Sequence, residues 1–282
     1  MSIVIVSDTS SDLGGAKSKA LGVDLVPTRV VFDGQIFRDG VDLDRVAFYT
    51  KLHSAGKKVP TTDPATSDDF AATFARHVAA GNTVVCPTVS ADISKTFENA
   101  RAAAKSFGDK VCVIDSRTVS GGLLLQARFA AEAARAGRPL DDILGLLERM
   151  RQHQYATFTP PDLSYIGRSA RLSRFSLAVG SLLNVNPVLR VRDGRMEPVS
   201  RVFGIEKAHE ALIDIVVKNV TDPASTHMLV GHAHAAHIGD AILKRILGKL
   251  PEAPASMTLF ELGPSVAVHS GPRTIAVFSA RT

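Results

Sequence analysis

Short β-branched runs alternate with Ala- and Leu-rich stretches through the first half of the chain, and this alternation narrows the fold more than any other feature. Ile3–Val6, Thr83–Pro87 and Val111–Ile114 are apolar runs of four or five residues, bounded by polar turns and too short for helices. Between them lie Leu43–Ala55, Ser67–Ala80, Ala91–Phe107 and, beyond the third run, Gly121–Ala136 and Asp141–Gln154, each with helical spacing of its apolar residues. Ser67 reads as the N-cap of the second of these, with acids in its first turn. A strand that is apolar at every position must be buried on both faces, and in a strand–loop–helix series that means a mostly parallel sheet flanked by helices. Val23–Phe32, interrupted by Pro27, reads as extended, and Asp33-Gly34-Gln35 turns it into a hairpin with Ile36–Arg38.

The second half has another texture. Pro160-Pro161 follows a polar stretch near Tyr155, and beyond it hairpin-like pairs alternate with helices. Val188–Val191 and Met196–Val199 flank an Asp193-Gly194 turn, Leu177–Leu183 and Glu206–Val220 read as helices, and His227–His232, Met257–Leu262 and Ile275–Ser279 read as strands around the helix Ala236–Leu247. The expectation is an N-terminal α/β domain over residues 1–157 and a C-terminal α+β domain over 158–282.

Composition removes several classes. Hydrophobic residues at 45% and charged residues at 22% fit a folded chain and exclude disorder. No uncharged apolar run reaches the ~18 residues of a membrane span, and Met1 leads straight into a strand, leaving no room for a signal peptide. The two cysteines, Cys86 and Cys112, each sit in an apolar run and read as reduced core residues, so a cytoplasmic protein is expected. Between Tyr165 and Arg201 seven arginines face two acids, a patch that equals the net charge of +5 of the whole chain. Such a patch suits an anionic ligand or partner, while the absence of lysine-rich tails and interleaved aromatics argues against nucleic acid.

In an open parallel sheet, ligands bind beyond the carboxyl ends of the strands. Hydroxyls gather in the loops there, at Ser7–Ser11, Thr61-Thr62, Thr88–Ser94 and Ser116–Ser120. Hydroxyls and backbone N–H groups donate to anions, although each loop also reads as a helix cap. Asp8 and Asp115 follow strands directly and suit either a ligand or an adjacent turn. No glycine-rich dinucleotide or phosphate-loop motif occurs, so no nucleotide cofactor is expected. His232 and His234 on an extended segment would place both rings on one face, and a stand-alone metal-dependent hydrolase or transferase using them is the competing reading. It needs a third ligand, and no metal site is assigned. His269 lies in an apolar run between Gly263-Pro264 and Gly271-Pro272, a context that holds one imidazole rigidly.

Six ordered segments together are similar to a known family. They are Ile5–Leu13 (Ile5-Val6-Ser7-Asp8-Thr9-Ser10-Ser11-Asp12-Leu13), Val59–Ala65, Val89–Thr96, Val113–Ser116 with Ser120-Gly121, Tyr165–Ser173 and His269-Ser270-Gly271-Pro272. In this order they resemble the DegV family of bacterial fatty-acid-binding proteins, the acyl-carrying subunits of fatty acid kinase. Four positions depart from its pattern: Ser169-Ala170 replace a glycine pair, Lys95 replaces the glycine after the loop serine, and Arg273 replaces the last glycine of the final motif.

The resemblance implies a non-catalytic carrier with no cofactor, holding a long-chain fatty acid in a cleft between the two domains. It implies that Thr61, Thr62, Ser94 and His269 surround the carboxylate, and that Arg171 and Arg201 at the mouth hold a phosphate or dock a kinase. The alkyl chain would lie among Phe158, Ile166, Leu172, Phe175, Leu182 and Leu183. A separate ATP-dependent fatty acid kinase is the implied partner, and it would perform the phosphoryl transfer. Burying about fifteen methylenes supplies ~12 kcal/mol of gross apolar transfer. A carboxylate buried without donors would cost several kcal/mol, on the order of any unpaired charge, so the site must be polar at one end only.

Overall fold

The computed structural model describes residues 2–54, 59–167 and 185–282. Its first sheet is parallel throughout, in the order β2-β1-β6-β7, formed by β1 (Ile3–Asp8), β2 (Val23–Val26), β6 (Thr83–Thr88) and β7 (Val111–Asp115). Both faces are covered, as the continuous apolar runs require. Alternate side chains along a strand point to opposite faces. Val6, Val84 and Cys86 therefore pack with Phe70 and Phe74 of α3 (Ser67–Ala79) and Ala100 of α4 (Thr96–Ala104). Their neighbours Ile5 and Val85 pack on the other side with Leu124 and Leu125 of α5 (Gly121–Arg135). The remaining helices of this half are α1 (Gly15–Leu21), α2 (Arg45–Ser54) and α6 (Leu140–Gln152).

Two local expectations change. The N-cap of α3 is Thr66, one residue before Ser67: its hydroxyl accepts from the Asp69 N–H at 3.3 Å while the Asp69 carboxylate reaches back to Thr66. This reciprocal box satisfies two of the orphan donors at the helix start, which Ser67, already inside the helix, does not do. The helix expected from Ala91 begins only at Thr96, because Ser90 to Ser94 form a tight turn in which the Ile93 and Ser94 N–H groups donate to the Ser90 carbonyl.

A small antiparallel sheet, β4-β3-β5, follows the hairpin expected at Asp33-Gly34: β3 (Arg29–Phe32), β4 (Gln35–Arg38) and β5 (Thr61–Asp63). Strand β5 has three polar residues and no apolar pattern, so only its pairing reveals it: Val30 lies opposite Thr62.

The second half builds a six-stranded sheet in the order β10-β9-β8-β13-β11-β12. Its strands are β8 (Gln154–Thr159), β9 (Val185–Arg192), β10 (Arg195–Phe203), β11 (Thr226–His232), β12 (Ser256–Glu261) and β13 (Ile275–Arg281). All neighbours are antiparallel except β11 and β12. The residue 157/158 division falls inside β8, which already belongs to this sheet. One face carries Val188, Met228, Val230 and Val277 under α8 (Ile205–Asn219) and α9 (Ala236–Lys249). The other face carries Ala156, Val191, Ala276 and Phe278, which share a core with α5 and α6. Gly121 opens α5 against this face, where an added Cβ would stand 2.4 Å from the Phe278 ring. Two short helices complete the described chain, α7 (Leu163–Gly167) and α10 (Pro264–Ser270). The expected helix Leu177–Leu183 lies outside the described residues. No helix among the described residues is long and apolar enough to cross a membrane.

Candidate functional site

A cavity of about 800 Å³ lies where the carboxyl end of the parallel sheet, the small β3–β5 sheet, α10 and the open face of the large sheet meet. That volume is within the 300–1,000 Å³ typical of small-molecule sites, on the usual order for such pockets. Its lining is mixed. Phe158, Val191, Met196, Ala276 and Phe278 of the large sheet, with Ile166 of α7, form an apolar wall. Hydroxyls from Thr28, Thr61, Thr62, Ser94 and Ser265, together with His269, line the cavity as well, with Val89, Ile93, Leu262 and Val266 among them.

Thr61, Thr62, Ser94 and His269 thus all line one cavity, although 207 residues separate Thr62 from His269. Thr62 Oγ1 and His269 Nε2 stand 2.6 Å apart. Thr61, on the same strand, is exposed. Ser94 serves two ends at once: its Oγ accepts from the Thr96 N–H at 3.2 Å, capping the start of α4, and lies 2.9 Å from Thr96 Oγ1 while facing the cavity. Of the expected tail residues, Phe158 and Ile166 line the apolar wall. Leu172, Phe175, Leu182 and Leu183 lie outside the described residues, as do Arg171 and the Ser169-Ala170 departure. Arg201 is exposed on β10, away from the cavity lining, while Arg195 at the start of the same strand belongs to it.

Helix α10, the carrier of His269, is held by buried groups that the sequence did not single out. Ser265 donates its N–H to Asp39 Oδ2 at 3.1 Å and its hydroxyl to the same oxygen. Gly263 N–H donates to Asp12 Oδ1 at 2.8 Å, and Ser120 Oγ donates to Asp12 Oδ2 at 2.5 Å. Arg45 Nη2 donates to the Asp12 carbonyl at 2.7 Å, and the Tyr49 hydroxyl donates to the Leu262 carbonyl at 2.9 Å. Burial pushes the Asp12 carboxyl up to about 7 and the Asp39 carboxyl up to about 6, against the pull of Arg45 and the hydroxyl donors. Asp12 was legible only as a member of the opening motif. Its partnership with Gly263, 251 positions away, was not.

Asp8 and Asp115 hold turns. Asp8 accepts from Ser10 and Val89 N–H groups at 2.9 Å each, and burial raises its pKa. Asp115 Oδ1 accepts from Arg117 N–H at 2.9 Å and Ala91 N–H at 3.3 Å.

The histidine pair does not share an extended face. His232 is buried at the end of β11, its Nδ1 accepting from Ala235 N–H at 3.3 Å, and burial lowers its pKa. His234 turns into the left-handed region at φ 52°, stacks on Tyr49 with ring centroids 5.0 Å apart, and lies 3.4 Å from Glu261. The left-handed residue breaks the period-2 alternation that would have aligned the two rings. Among the described residues no group of three or more His, Cys, Asp or Glu is placed to hold a metal ion.

The glycine departures differ physically. Lys95 has φ −72°, which any residue adopts, so its backbone requires no glycine. Arg273 has φ 63°, and its N–H donates to the Ala233 carbonyl at 2.7 Å, which locks the turn after α10. A non-glycine residue there costs roughly 1 kcal/mol. Arg273→Gly should therefore raise stability by about 0.5–1 kcal/mol in urea unfolding, the strain relief being partly offset by the freer unfolded chain. A loss of stability would show that the arginine side chain holds the turn.

The family model described as "Uncharacterised protein, DegV family" matches residues 2–282. A DegV domain-containing protein of Deinococcus radiodurans is 34% identical over 277 residues, 98% of either chain. One of Mycobacterium tuberculosis is 32% identical over 98% of this chain and 96% of its own. Among solved structures, a fatty-acid-binding DegV family protein from Thermus thermophilus superposes with a TM-score of 0.90 at 27% identity, covering all of both chains. A stearic-acid-binding protein from Eubacterium ventriosum superposes with a TM-score of 0.91 at 25% identity, over 98% of this chain and 97% of its own. With one family model spanning every strand of all three sheets, the chain belongs to the DegV family.

Proposed function

We propose that this protein binds a single long-chain fatty acid in the 800 Å³ cavity, with the carboxylate among Thr61, Thr62, Ser94 and His269 and the chain against Phe158 and Ile166. The observation that carries this reading is the make-up of the lining, a cluster of hydroxyls and an imidazole in one cavity with an aromatic and aliphatic sheet face. That is the combination an amphiphile with a single charged end requires. The fatty-acid-binding proteins of Thermus thermophilus and Eubacterium ventriosum, alike in fold over nearly the whole chain, support it. The chain is read as two domains that meet at the cavity, a cytoplasmic carrier whose Cys86 and Cys112 are both free of disulfides.

Organic extraction of the purified protein followed by mass spectrometry should recover about one acyl chain per protein. Ser94→Ala and Thr62→Val should each weaken binding by about 1–2 kcal/mol, the scale of a hydrogen bond to a charged group, and His269→Ala by at least as much. Lipid-free protein from several hosts would refute the reading. Unchanged affinity in all three variants would move the head group elsewhere.

The carrier in turn presents its carboxylate to a separate ATP-dependent fatty acid kinase, which forms the acyl phosphate. Arg201, exposed on the edge strand β10, and Arg171 supply the docking charge, since arginine's planar fork suits carboxylate and phosphate oxygens alike. Arg201→Ala should keep fatty-acid affinity within about twofold, as a rim charge does, yet lose most acyl-phosphate production with a reconstituted kinase. Full turnover would remove Arg201 from the docking surface.

A further inference from the structure

Among the described residues lining the cavity, Arg195 is the only lysine or arginine, set against two acids, Asp63 and Asp92. Its placement is built by the β9–β10 turn. Ser90 Oγ donates to the Gly194 carbonyl at 2.9 Å, which fastens the turn onto the loop after β6. Gly194 sits at φ 83°, and an added Cβ would stand 2.4 Å from Ser90 Oγ, so the turn meets the loop at backbone distance. The next residue, Arg195, then lies over Asp92, with Nε 3.3 Å from Oδ2, two positions before Ser94.

This ion pair is 77% exposed on the arginine and 45% on the aspartate. Exposed pairs are weakly held and easily exchanged. A guanidinium so held needs little free energy to turn to another anion, and Arg195 lines the same cavity as the hydroxyls and imidazole that would receive one.

Resting on the fatty-acid reading above, we propose that Arg195 is the residue that selects for a negatively charged head group, exchanging Asp92 for the ligand carboxylate at the mouth of the cavity. Asp92 tunes this selection by competing for the same guanidinium. The hydroxyl and imidazole donors at Thr62, Ser94 and His269 bind a neutral alcohol as well as an acid, because each hydrogen-bonds to any oxygen. Only a permanent charge separates the two.

The test measures transfer of radiolabelled hexadecanoic acid and of hexadecan-1-ol from phosphatidylcholine vesicles to the protein. Arg195→Gln should lower acid uptake about tenfold, the scale of one charged hydrogen bond, and change alcohol uptake less than about twofold. Asp92→Asn should raise acid uptake about threefold by freeing the guanidinium, again without effect on the alcohol. Equal losses of both lipids in Arg195→Gln would show a structural role and overturn the proposal, as would no loss of either. Wild-type protein that takes up neither lipid would overturn the binding reading itself. Uptake of both, with no acid preference moved by either variant, would overturn this inference alone.

Discussion

Ala276→Phe should reduce affinity for a long-chain fatty acid by roughly two orders of magnitude while leaving the fold intact. Ala276 lies on β13 between Phe158 of β8 and Gly231 of β11, at the floor of the apolar wall. A phenyl ring at this position extends into the cavity and takes the place of about four methylenes of ligand, worth ~3 kcal/mol at ~0.8 each. Overpacking a filled core costs about 1–3 kcal/mol, but here the ring has an 800 Å³ space to enter. Thermal unfolding should therefore stay within a few degrees of the parent, while extraction recovers little or no lipid. Undiminished affinity in a well-folded variant would place the acyl chain outside this cavity.

The second large effect concerns pH. Asp12 and Asp39 are buried carboxyls whose folded pKa values, about 7 and about 6, lie above the usual carboxylate value of 3.8. Between roughly pH 4 and 7 the folded protein then holds protons that the unfolded chain has released, so stability falls as pH rises through this window. Three histidines run the other way: burial lowers the pKa of His209, His227 and His232, which favours the folded state as pH rises from below 6.5 up to that value. Comparison with Asp12→Asn separates the contributions, because the amide keeps an acceptor for Gly263 N–H and does not titrate. Urea unfolding should show the parent losing about 2–3 kcal/mol relative to Asp12→Asn between pH 5 and 8, from the shift of Asp12 alone. A constant difference across that range would mean that Arg45 keeps Asp12 ionised throughout.

These two effects act on the same helix-bearing corner of the molecule from opposite sides. Ala276 belongs to the lining of the cavity, whereas Asp12 and Asp39 anchor the segment from Gly263 to Ser265, one helical turn before His269. A ligand that bridges the cavity therefore contacts both the large sheet and the element that the buried carboxyls hold.

Much of the fold was legible from local chemistry. The runs at Ile3–Val6 and Thr83–Pro87 became the two central strands of a parallel sheet because each is apolar on both faces, Val111–Ile114 became its edge, and the Asp33-Gly34 and Asp193-Gly194 turns became the hairpins they announce. Thr61, Thr62, Ser94 and His269 were legible through ordered motifs, and one cavity does collect them. Strand β5 was not legible, since three polar residues carry no period and acquire an extended shape only by pairing with β3. Helix α10 read only as an apolar run between turn residues, because a seven-residue helix is set by its anchors at Asp12 and Asp39 more than by its own propensity. Arg201 and Arg195 carry the same charge six positions apart in sequence, but only Arg195 lines the cavity, because the Gly194–Ser90 contact brings that end of β10 onto the loop.

By itself, then, the sequence determined the alternation of elements, the placing of apolar residues on two faces or one, and the chemistry available in the loops. These depend on neighbours within a few positions, where side-chain period and turn preference act. Only the tertiary structure decided which loops meet, which carboxyls lose their water, and which arginine lines the cavity. Such properties arise from contacts between residues as far apart as Asp12 and Gly263, and burial at that distance is a consequence of packing that no local pattern encodes.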